Sequence, residues 1–368
     1  MVNNSLKDYI NLIKSTISPQ LISEKTWRNI NQVCQILPSA ITTFFGFECR
    51  LGIVEAHADF LLCASTEEAG RKVLGDKDYS INLPKFLSNY LVWKNIQNFS
   101  YEWNNEASPL SEKVNNIWLE FDINDSLRIP PIPSCFFAPL PIVSDTENNP
   151  YSHQWVTQTA LKLLRGKQIL PEIEKKLFNC FDLLPRGAYV FQIGLMLARE
   201  SDYIRICIRN ISSSSIISYL NQINWQGSIV KVEKLLADLD NFADRIDLDL
   251  DIGKTIHPKI GLECYLERQP KFNTKWKLFV DYLVDTGLCI PEKREALLGY
   301  TGYLREKDHQ KLWPNNLSKL SQLLGYKYER IFFKILNHIK IVSQGEECLE
   351  AKAYLAVSNT LINREVLH

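Results

Sequence analysis

Apolar residues along this chain recur with two different spacings, one typical of helices and one typical of strands. Over residues 6–17, and again over residues 26–37, the apolar positions have helical spacing. Residues 44–51 and 59–65 follow them and have the character of strands. The first part of the sequence therefore predicts a unit of two helices followed by two strands.

Four further units with the same order of elements follow, although the residues themselves do not repeat. Further helices are predicted over residues 83–96, 153–164, 171–184, 215–225, 230–243, 273–286, 292–298 and 317–324. Further strands are predicted over residues 117–123, 134–140, 189–199, 203–211, 245–252, 259–268, 335–343 and 348–357, the last two joined by a turn at Gly345. The chain thus holds five predicted units of the type helix–helix–strand–strand.

This order of elements predicts a mixed α/β fold with an antiparallel sheet. A doubly wound parallel sheet would instead alternate single strands with single helices. Ten strands in one open sheet would leave two long exposed edges, and closing the sheet removes both. We therefore expect a closed ten-stranded antiparallel β-barrel with an outer ring of helices, forming a single domain over residues 1–368.

Several predicted strands carry charged residues on one face and apolar residues on the other. In strand 117–123 the polar face holds Glu120 and Asp122 together with Trp118. Because helices need an apolar sheet face to pack on, the charged faces should point into the barrel and make its interior a wet, polar chamber. An open sheet, with helices on one face and solvent on the other, is the alternative.

Strict alternation along a strand makes this expectation specific, because a register shift of one residue would exchange the two faces. The residues expected to point inward are Glu48, Glu120, Arg205, Asp247, Glu263 and Lys352. The residues expected to contact helices are Leu119, Ile206, Leu248 and Leu262.

Composition and charge narrow the class of protein. The chain contains 42 Lys and Arg and 42 Asp and Glu, so it lacks the basic patch of a nucleic-acid-binding protein. No window approaches 18 uninterrupted apolar residues, and the start lacks the form of a signal peptide. The nine cysteines are an odd number without a CxxC motif, so buried, reduced thiols are expected. Together these features favour a cytoplasmic protein without a membrane or nucleic-acid partner.

Familiar catalytic motifs are absent from the sequence. It has no glycine-rich phosphate loop, no GxSxG, no HExxH and no zinc-ligand spacing among its six His residues. Asp247, Asp249 and Asp251 alternate along one strand about 7 Å apart. At most an adjacent pair of them reaches one Mg²⁺, and a salt-bridged face is the simpler interpretation. We therefore expect no resident metal site and no required cofactor, with Mg²⁺ left as an option.

Five such units closing a ten-stranded antiparallel barrel resemble the ABBA prenyltransferase barrel, which is found in aromatic and peptide prenyltransferases. Residues 350–354, EAKAY, look like the Lys-x-Tyr pattern by which that family holds an isoprenoid diphosphate. Residues 205–209, RICIR, are similar in spacing. Residues 47–49, FEC, resemble the first-strand position at which a Glu holds or deprotonates the aromatic acceptor.

The resemblance implies a transferase, acting as a monomer or homodimer, that moves a prenyl group from an isoprenoid diphosphate to an aromatic small molecule or a peptide side chain. Such a reaction needs cations for the diphosphate, aromatic faces for the allyl cation and a base for the acceptor proton. The candidate cations are Arg50, Arg205, Arg209, Lys259, Lys340 and Lys352. The candidate aromatic residues are Trp118, Tyr265 and Tyr354, the candidate bases are Glu48 and then His338, and the further polar substrate ligands are Glu120 and Glu263.

The third strand departs from that family's pattern. Its indole enzymes typically carry Lys-x-Tyr there, whereas this chain places Glu120 and Asp122 there. Carboxylates that face a diphosphate repel it unless a divalent cation lies between them. Two alternatives therefore stay open. One is a different reaction in the same chamber, such as a non-prenyl peptide modification or a lyase activity. The other is a non-catalytic barrel that binds a small molecule or peptide.

Overall fold

The ten predicted strands are all present, together with two short additional ones. A computed structural model describes residues 5–67, 69–78, 81, 83–124, 130–143, 153–199, 201–323, 327–344 and 348–363. The strands in these ranges are β1 (Phe44–Arg50), β2 (Ala58–Ser65), β3 (Val114–Phe121), β4 (Ser134–Pro139), β5 (Ile142–Val143), β6 (Tyr189–Leu195), β7 (Ile204–Arg209), β8 (Arg245–Ile252), β9 (Ile256–Tyr265), β10 (Gly302–Arg305), β11 (Tyr328–Gln344) and β12 (Cys348–Asn363).

Ten of these strands close into an antiparallel barrel. The hydrogen-bonded order is β11, β12, β1, β2, β3, β4, β6, β7, β8 and β9, and β9 pairs back onto β11. The closing ladder runs from Ile339 opposite Cys264 to Ser343 opposite Ile260. β5 pairs with β6 and β10 pairs with β11, so both lie outside the ring. The closed barrel is confirmed and an open sheet is excluded. The predicted turn at Gly345 lies outside the described residues.

Two or three α-helices precede each hairpin of the barrel and form the outer layer. They are α1 (Lys7–Lys14), α2 (Glu24–Ile36), α3 (Gly70–Gly75), α4 (Leu91–Asn104), α5 (Pro109–Lys113), α6 (Lys162–Arg165), α7 (Pro171–Asp182), α8 (Ser213–Gln222), α9 (Ile229–Leu239), α10 (Lys275–Asp285), α11 (Pro291–Leu298) and α12 (Asn315–Leu323). A π-helical segment, Val156–Leu161, leads directly into α6. Ser23 caps α2 by accepting a hydrogen bond from the Thr26 amide at 3.2 Å. In the described ranges, no helix has both the length and the apolar character needed to cross a membrane.

Some predicted element bounds were wrong. The strand predicted over residues 189–199 ends at Leu195, and the last two strands are longer than predicted. The extra length of β11 forms the ladder with β10, so it continues beyond the barrel wall. The helix predicted to end at residue 96 continues to Asn104, because Phe99 and Trp103 extend its buried face. Trp103 also donates its indole N–H to the Val114 carbonyl at 2.7 Å, which fixes α4 to the start of β3.

The apolar core lies between the barrel wall and the helices. Four outward-facing strand residues, predicted to contact the helix layer, are fully buried in this core: Leu119, Ile206, Leu248 and Leu262. Several of the cysteines are also buried as thiols: Cys34, Cys49, Cys135, Cys207 and Cys264. The opposite face of each strand is consequently left to line the lumen, which is where the candidate chemistry lies.

Candidate functional site

The inward strand faces enclose a lumen with two parts of different chemistry. One part, here called the charged half, is lined mainly by Glu48, Glu120, Arg199, Arg205, Asp249, Asp251, Lys259, Lys340, Lys352 and Tyr354. The other, here called the aromatic half, is a cavity of about 450 Å³ whose ring-bearing side chains are Phe44, Trp118, Phe136, Phe191, Tyr265, His338 and Tyr354. The polar chamber predicted from the sequence corresponds to the charged half, whereas large rings line the other part of the inner wall.

Ion pairs nearly fill the charged half. Its side chains leave only about 30 Å³ open, roughly the volume of one water molecule. Arg205 binds Asp251 through two parallel hydrogen bonds, Nε to Oδ1 and Nη2 to Oδ2, both 2.8 Å long. Lys340 contacts Asp249 directly, and its Nζ lies 3.6 Å from Glu263. Arg205 and Lys340, two of the cations predicted to hold a diphosphate, are thus present but paired with carboxylates of the same lumen.

Glu48 is held as an anion on β1. Lys352 donates to its Oε1 at 2.7 Å, and the Tyr354 hydroxyl donates to its Oε2. Burial alone would raise the pKa of Glu48, but the Lys352 charge and these two hydrogen bonds outweigh it and lower the pKa below its usual range. The residue predicted as the first-choice base is therefore already engaged by two donors.

Glu120 has a different environment, although it lines the same lumen. It borders both halves, and no described residue forms a hydrogen bond or an ion pair with its side chain. Burial, and then the negative charge of Glu48, raise the pKa of Glu120 to about 7. An unpaired carboxyl that titrates near neutral pH lies at the boundary between cationic and aromatic surroundings.

Lys259 and Arg199 also line the charged half. Lys259 has no carboxylate of the described residues within 4 Å, and burial and the neighbouring Arg205 and Lys352 charges lower its pKa. Arg199 binds Asp122 with a fork of two bonds, 2.7 and 2.6 Å long. Sequence reasoning missed Arg199, because it follows the end of β6. The strand predicted over residues 189–199 contained Arg199, so its place in that strand could have identified it as a candidate.

A stack of rings forms one wall of the aromatic half. His338 lies between Tyr354 and Tyr265, with ring centroids 4.2 and 4.7 Å away. Neither ring nitrogen of His338 has a hydrogen-bond partner among the described residues. Burial, and then the Lys340 charge, lower the pKa of His338 to about 3, so the ring is neutral at physiological pH. Trp118 meets Phe44 edge to face at 5.6 Å on the other side of the cavity.

Two arginines lie on ring faces in the aromatic half. The Arg209 guanidinium carbon is 3.9 Å from the Phe191 ring centre, and that of Arg245 is 4.0 Å from the Tyr265 ring centre. Both arginines donate to Asp247, at 2.9 and 3.0 Å. Arg209, unlike Arg205 and Lys340, lines only the aromatic half. Sequence reasoning missed Arg245, Phe191 and Phe136. Phe136 lies in strand 134–140, which is largely apolar on both faces, so its alternation gave no signal.

The remaining predicted residues lie at the edges of this arrangement. Arg50 is 40% exposed, lines neither half and lies 3.9 Å from Asp59 and 3.7 Å from Glu350. Glu263 borders the aromatic half and accepts a hydrogen bond from Tyr265 at 2.8 Å. The described residues contain no group of three or more His, Cys, Asp or Glu side chains arranged to hold a metal ion.

Comparisons with known proteins agree with the barrel. No protein-family model and no curated protein matches the sequence. Three crystal structures of the prenyltransferase PriB are similar in fold. They are its apo form, its binary complex with product diphosphate and its ternary complex with L-tryptophan and dimethylallyl thiolodiphosphate, at TM-scores of 0.50, 0.51 and 0.50. Each is 10% identical in sequence, and the alignments cover 95% of this chain and 94% of PriB. The chain therefore has the fold of the ABBA prenyltransferase barrel, as its pattern of elements predicts.

Proposed function

We propose that this protein transfers a prenyl group from an isoprenoid diphosphate to an aromatic acceptor inside the barrel. The observation that carries the proposal is the division of one closed lumen into a cationic and an aromatic half, with the unpaired carboxyl of Glu120 between them. PriB, whose fold is similar, is described in complexes with diphosphate and with tryptophan and a dimethylallyl donor analogue. At 10% identity this likeness supports the fold, so the reaction is inferred from the lumen itself.

In the proposed reaction the charged half binds the diphosphate. Arg205, Lys259 and Lys340 are suited to this because a diphosphate leaving group gains negative charge as its C–O bond breaks. The allyl cation formed at the same time lies toward the rings of the aromatic half, whose π faces stabilise positive charge and exclude water. Trp118 and Tyr265 are the ring faces that we assign to this role.

The acceptor occupies the aromatic half, whose volume of about 450 Å³ is within the range of small-molecule sites. Attack of its ring on the allyl cation forms a new bond to carbon and leaves one proton to be removed. We assign that proton to Glu120, because Glu48 already accepts bonds from Lys352 and Tyr354. His338, the second predicted base, is a stacked neutral ring and is assigned to positioning the acceptor.

Donor binding tests the proposal directly. Titration calorimetry with dimethylallyl, geranyl and farnesyl diphosphates should detect binding of at least one donor. Mass spectrometry should then detect a prenylated product when L-tryptophan or an aromatic peptide is added. Arg205→Ala and Lys259→Ala should each weaken donor binding ten- to hundredfold, because a charge-assisted contact contributes about 1.5–3 kcal/mol. Lys254→Ala is the matched control, since Lys254 is an exposed lysine outside the lumen. If no donor binds, the proposal is wrong.

A non-catalytic binding barrel is the second candidate. It is favoured by the small open volume of the charged half and by the pairing of Arg205 and Lys340 with carboxylates. In that case an apolar aromatic ligand would bind in the aromatic half and raise the melting temperature, whereas no diphosphate would bind. The same titrations therefore separate the two candidates.

A further inference from the structure

We propose that Asp249 occupies the anion site of the charged half in the free protein, and that an entering diphosphate displaces Asp249 from Lys340 with uptake of one proton. The inference rests on the proposed function, since it takes the entering anion to be the diphosphate of an isoprenoid donor. It adds that donor binding strengthens as the pH falls. Asp249 thereby acts as an internal substitute for the substrate's negative charge.

The contacts of Asp249 are those of a group that can be displaced. Its side chain is only 2% exposed and lies on the central inward position of β8, bordering both halves of the lumen. One oxygen, Oδ2, contacts Lys340, whereas the other, Oδ1, has no partner among the described residues. Asp251, two residues further on, instead uses both oxygens on the Arg205 fork. Of the two carboxylates, Asp249 is therefore the more weakly held.

The backbone beside Asp249 leaves room for the ion pair between Asp249 and Lys340. Gly261 lies directly opposite Asp249 in the ladder between β8 and β9. A Cβ atom at Gly261 would lie 2.5 Å from Lys340 Cε and 3.1 Å from Asp249 Oδ2. Without a side chain at this position, Lys340 can cross the strand and reach the carboxylate. The ion pair thus has a dedicated space in the barrel wall.

The charges around Asp249 determine whether diphosphate binding strengthens or weakens as the pH falls. The facing groups are Glu263 on β9, Lys340 and His338 on β11, Arg205 and Cys207 on β7, Tyr354 on β12, Glu48 on β1, Glu120 on β3, and Asp247 and Asp251 on β8 itself. Burial, and next the Glu263 charge, raise the pKa of Asp249, while Lys340 and Arg205 lower it. The two cations keep the ionised form of Asp249 bound, so removing Lys340 raises its affinity for a proton.

A diphosphate is a stronger ligand for Lys340 than a single carboxylate, because it carries more negative charge on oxygens that accept hydrogen bonds. Once Lys340 and Arg205 face the diphosphate, Asp249 lies beside a polyanion in a site of low dielectric constant, where like charges repel strongly. The carboxylate then takes up one proton from hydronium or the buffer and forms an O–H bond, and no other covalent bond changes. The protonated form can donate a hydrogen bond to a phosphate oxygen, whereas the ionised form can only accept.

Calorimetric titration with pyrophosphate in buffers of different ionisation enthalpy measures this proton uptake. The parent protein and Asp249→Asn are compared at pH 6–8, so that the ionisation of pyrophosphate itself cancels in the difference. We expect the variant to take up about one proton fewer and, at pH 8, to bind pyrophosphate at least tenfold more tightly. Asp285→Asn, at the exposed end of α10, is the matched control, and it should leave the proton uptake unchanged.

The possible failures are distinguishable. If neither pyrophosphate nor dimethylallyl diphosphate binds to the parent or the variants, the proposed function fails and this inference fails with it. If the parent binds them, but Asp249→Asn binds no more tightly and takes up as many protons, only this inference is overturned. Should Asp249→Asn not fold, infrared difference spectra of the parent decide the matter. Added pyrophosphate should produce the band of a protonated carboxyl group, and its absence would refute the displacement.

Discussion

Two glutamate carboxyl groups that line the same lumen differ in their ionisation. Glu48 accepts hydrogen bonds from Lys352 and Tyr354 and is held as an anion. Glu120 has no such donor among the described residues, and the Glu48 charge acts against its ionisation. An acid and a base for one reaction are commonly set apart in this way, by environment and not by residue type. For this reason the proposed function assigns the acceptor proton to Glu120, whereas Glu48 is the first-choice base predicted from the sequence.

Glu120→Gln should lower turnover roughly 10²- to 10⁴-fold, the contribution of a general base, while donor binding stays within a few-fold of the parent value. In the parent, turnover should fall as the pH drops through about 7, because the carboxyl must be ionised to accept a proton. Steady-state rates by product mass spectrometry, measured from pH 5.5 to 8.5, check both statements. Glu112→Gln, an exposed position on α5, is the control. Full activity of the Gln variant would exclude Glu120 as the base.

At the scale of elements, each strand has a functional face and a structural face. Asp247 and Asp249 of β8 point into the lumen, whereas Leu248 between them is fully buried against the helix layer. Leu248 lies opposite Leu262 on β9 and Ile208 on β7, so three neighbouring strands contribute to one apolar row. Substitutions on alternate residues of the same strand should therefore change different properties.

Leu248→Ala should lower the free energy of unfolding by about 2–5 kcal/mol, since it leaves a cavity in a packed core. Leu278→Ala makes the same chemical change on α10, where the side chain is 57% exposed, and should cost much less. Urea denaturation followed by circular dichroism gives both values. Equal effects of the two substitutions would contradict the assignment of Leu248 to the core.

The faces and the order of the strands could be predicted from the sequence, because both depend on local alternation. Which charges pair could not, since partners such as Lys352 and Glu48 are brought together only when the barrel closes. The aromatic half was only partly foreseen. Trp118 and Tyr265 could be predicted because they lie on the polar faces of their strands. Phe136 and Phe191 lie in strands with apolar residues on both faces, so the pattern did not indicate them. The part of α4 after residue 96 was missed because polar residues surround Phe99 and Trp103, although both continue the buried face of the helix.

At the scale of the whole molecule, the buried carboxyl of Glu120 lowers the stability of the fold when it is ionised. The pKa of Glu120 is about 7 in the folded chain, compared with an ordinary value of about 4.5. Between these two values the folded state binds more protons than the unfolded state, so the contribution of Glu120 to stability falls as the pH rises. Above pH 7 the folded protein carries the full cost of a buried, unpaired carboxylate. The proposed catalytic group is thus also a destabilising one.

Glu120→Gln should consequently stabilise the fold at pH 8 by about 1–3 kcal/mol, because it removes the charge but keeps the shape. The gain should shrink as the pH falls and vanish below about 4.5. Melting temperatures of the parent and the variant at pH 4.5, 6 and 8 test the trend. A variant that is equally stable or less stable than the parent at pH 8 would show that the carboxylate has a partner in solution.

The closure of the barrel also determines how long one edge of β1 stays unpaired while the polypeptide is synthesised. The edge of β1 is completed only by β12, with Phe44 opposite Ser358, more than 300 residues later. At a synthesis rate of about 5–20 residues per second, the interval between the two strands is roughly 15–60 s. During that time an apolar strand such as FFGFECR has an unpaired backbone edge, which is a template for aggregation. Holdase chaperones that bind nascent chains should therefore raise the yield of this protein, and slower synthesis should increase the need for them.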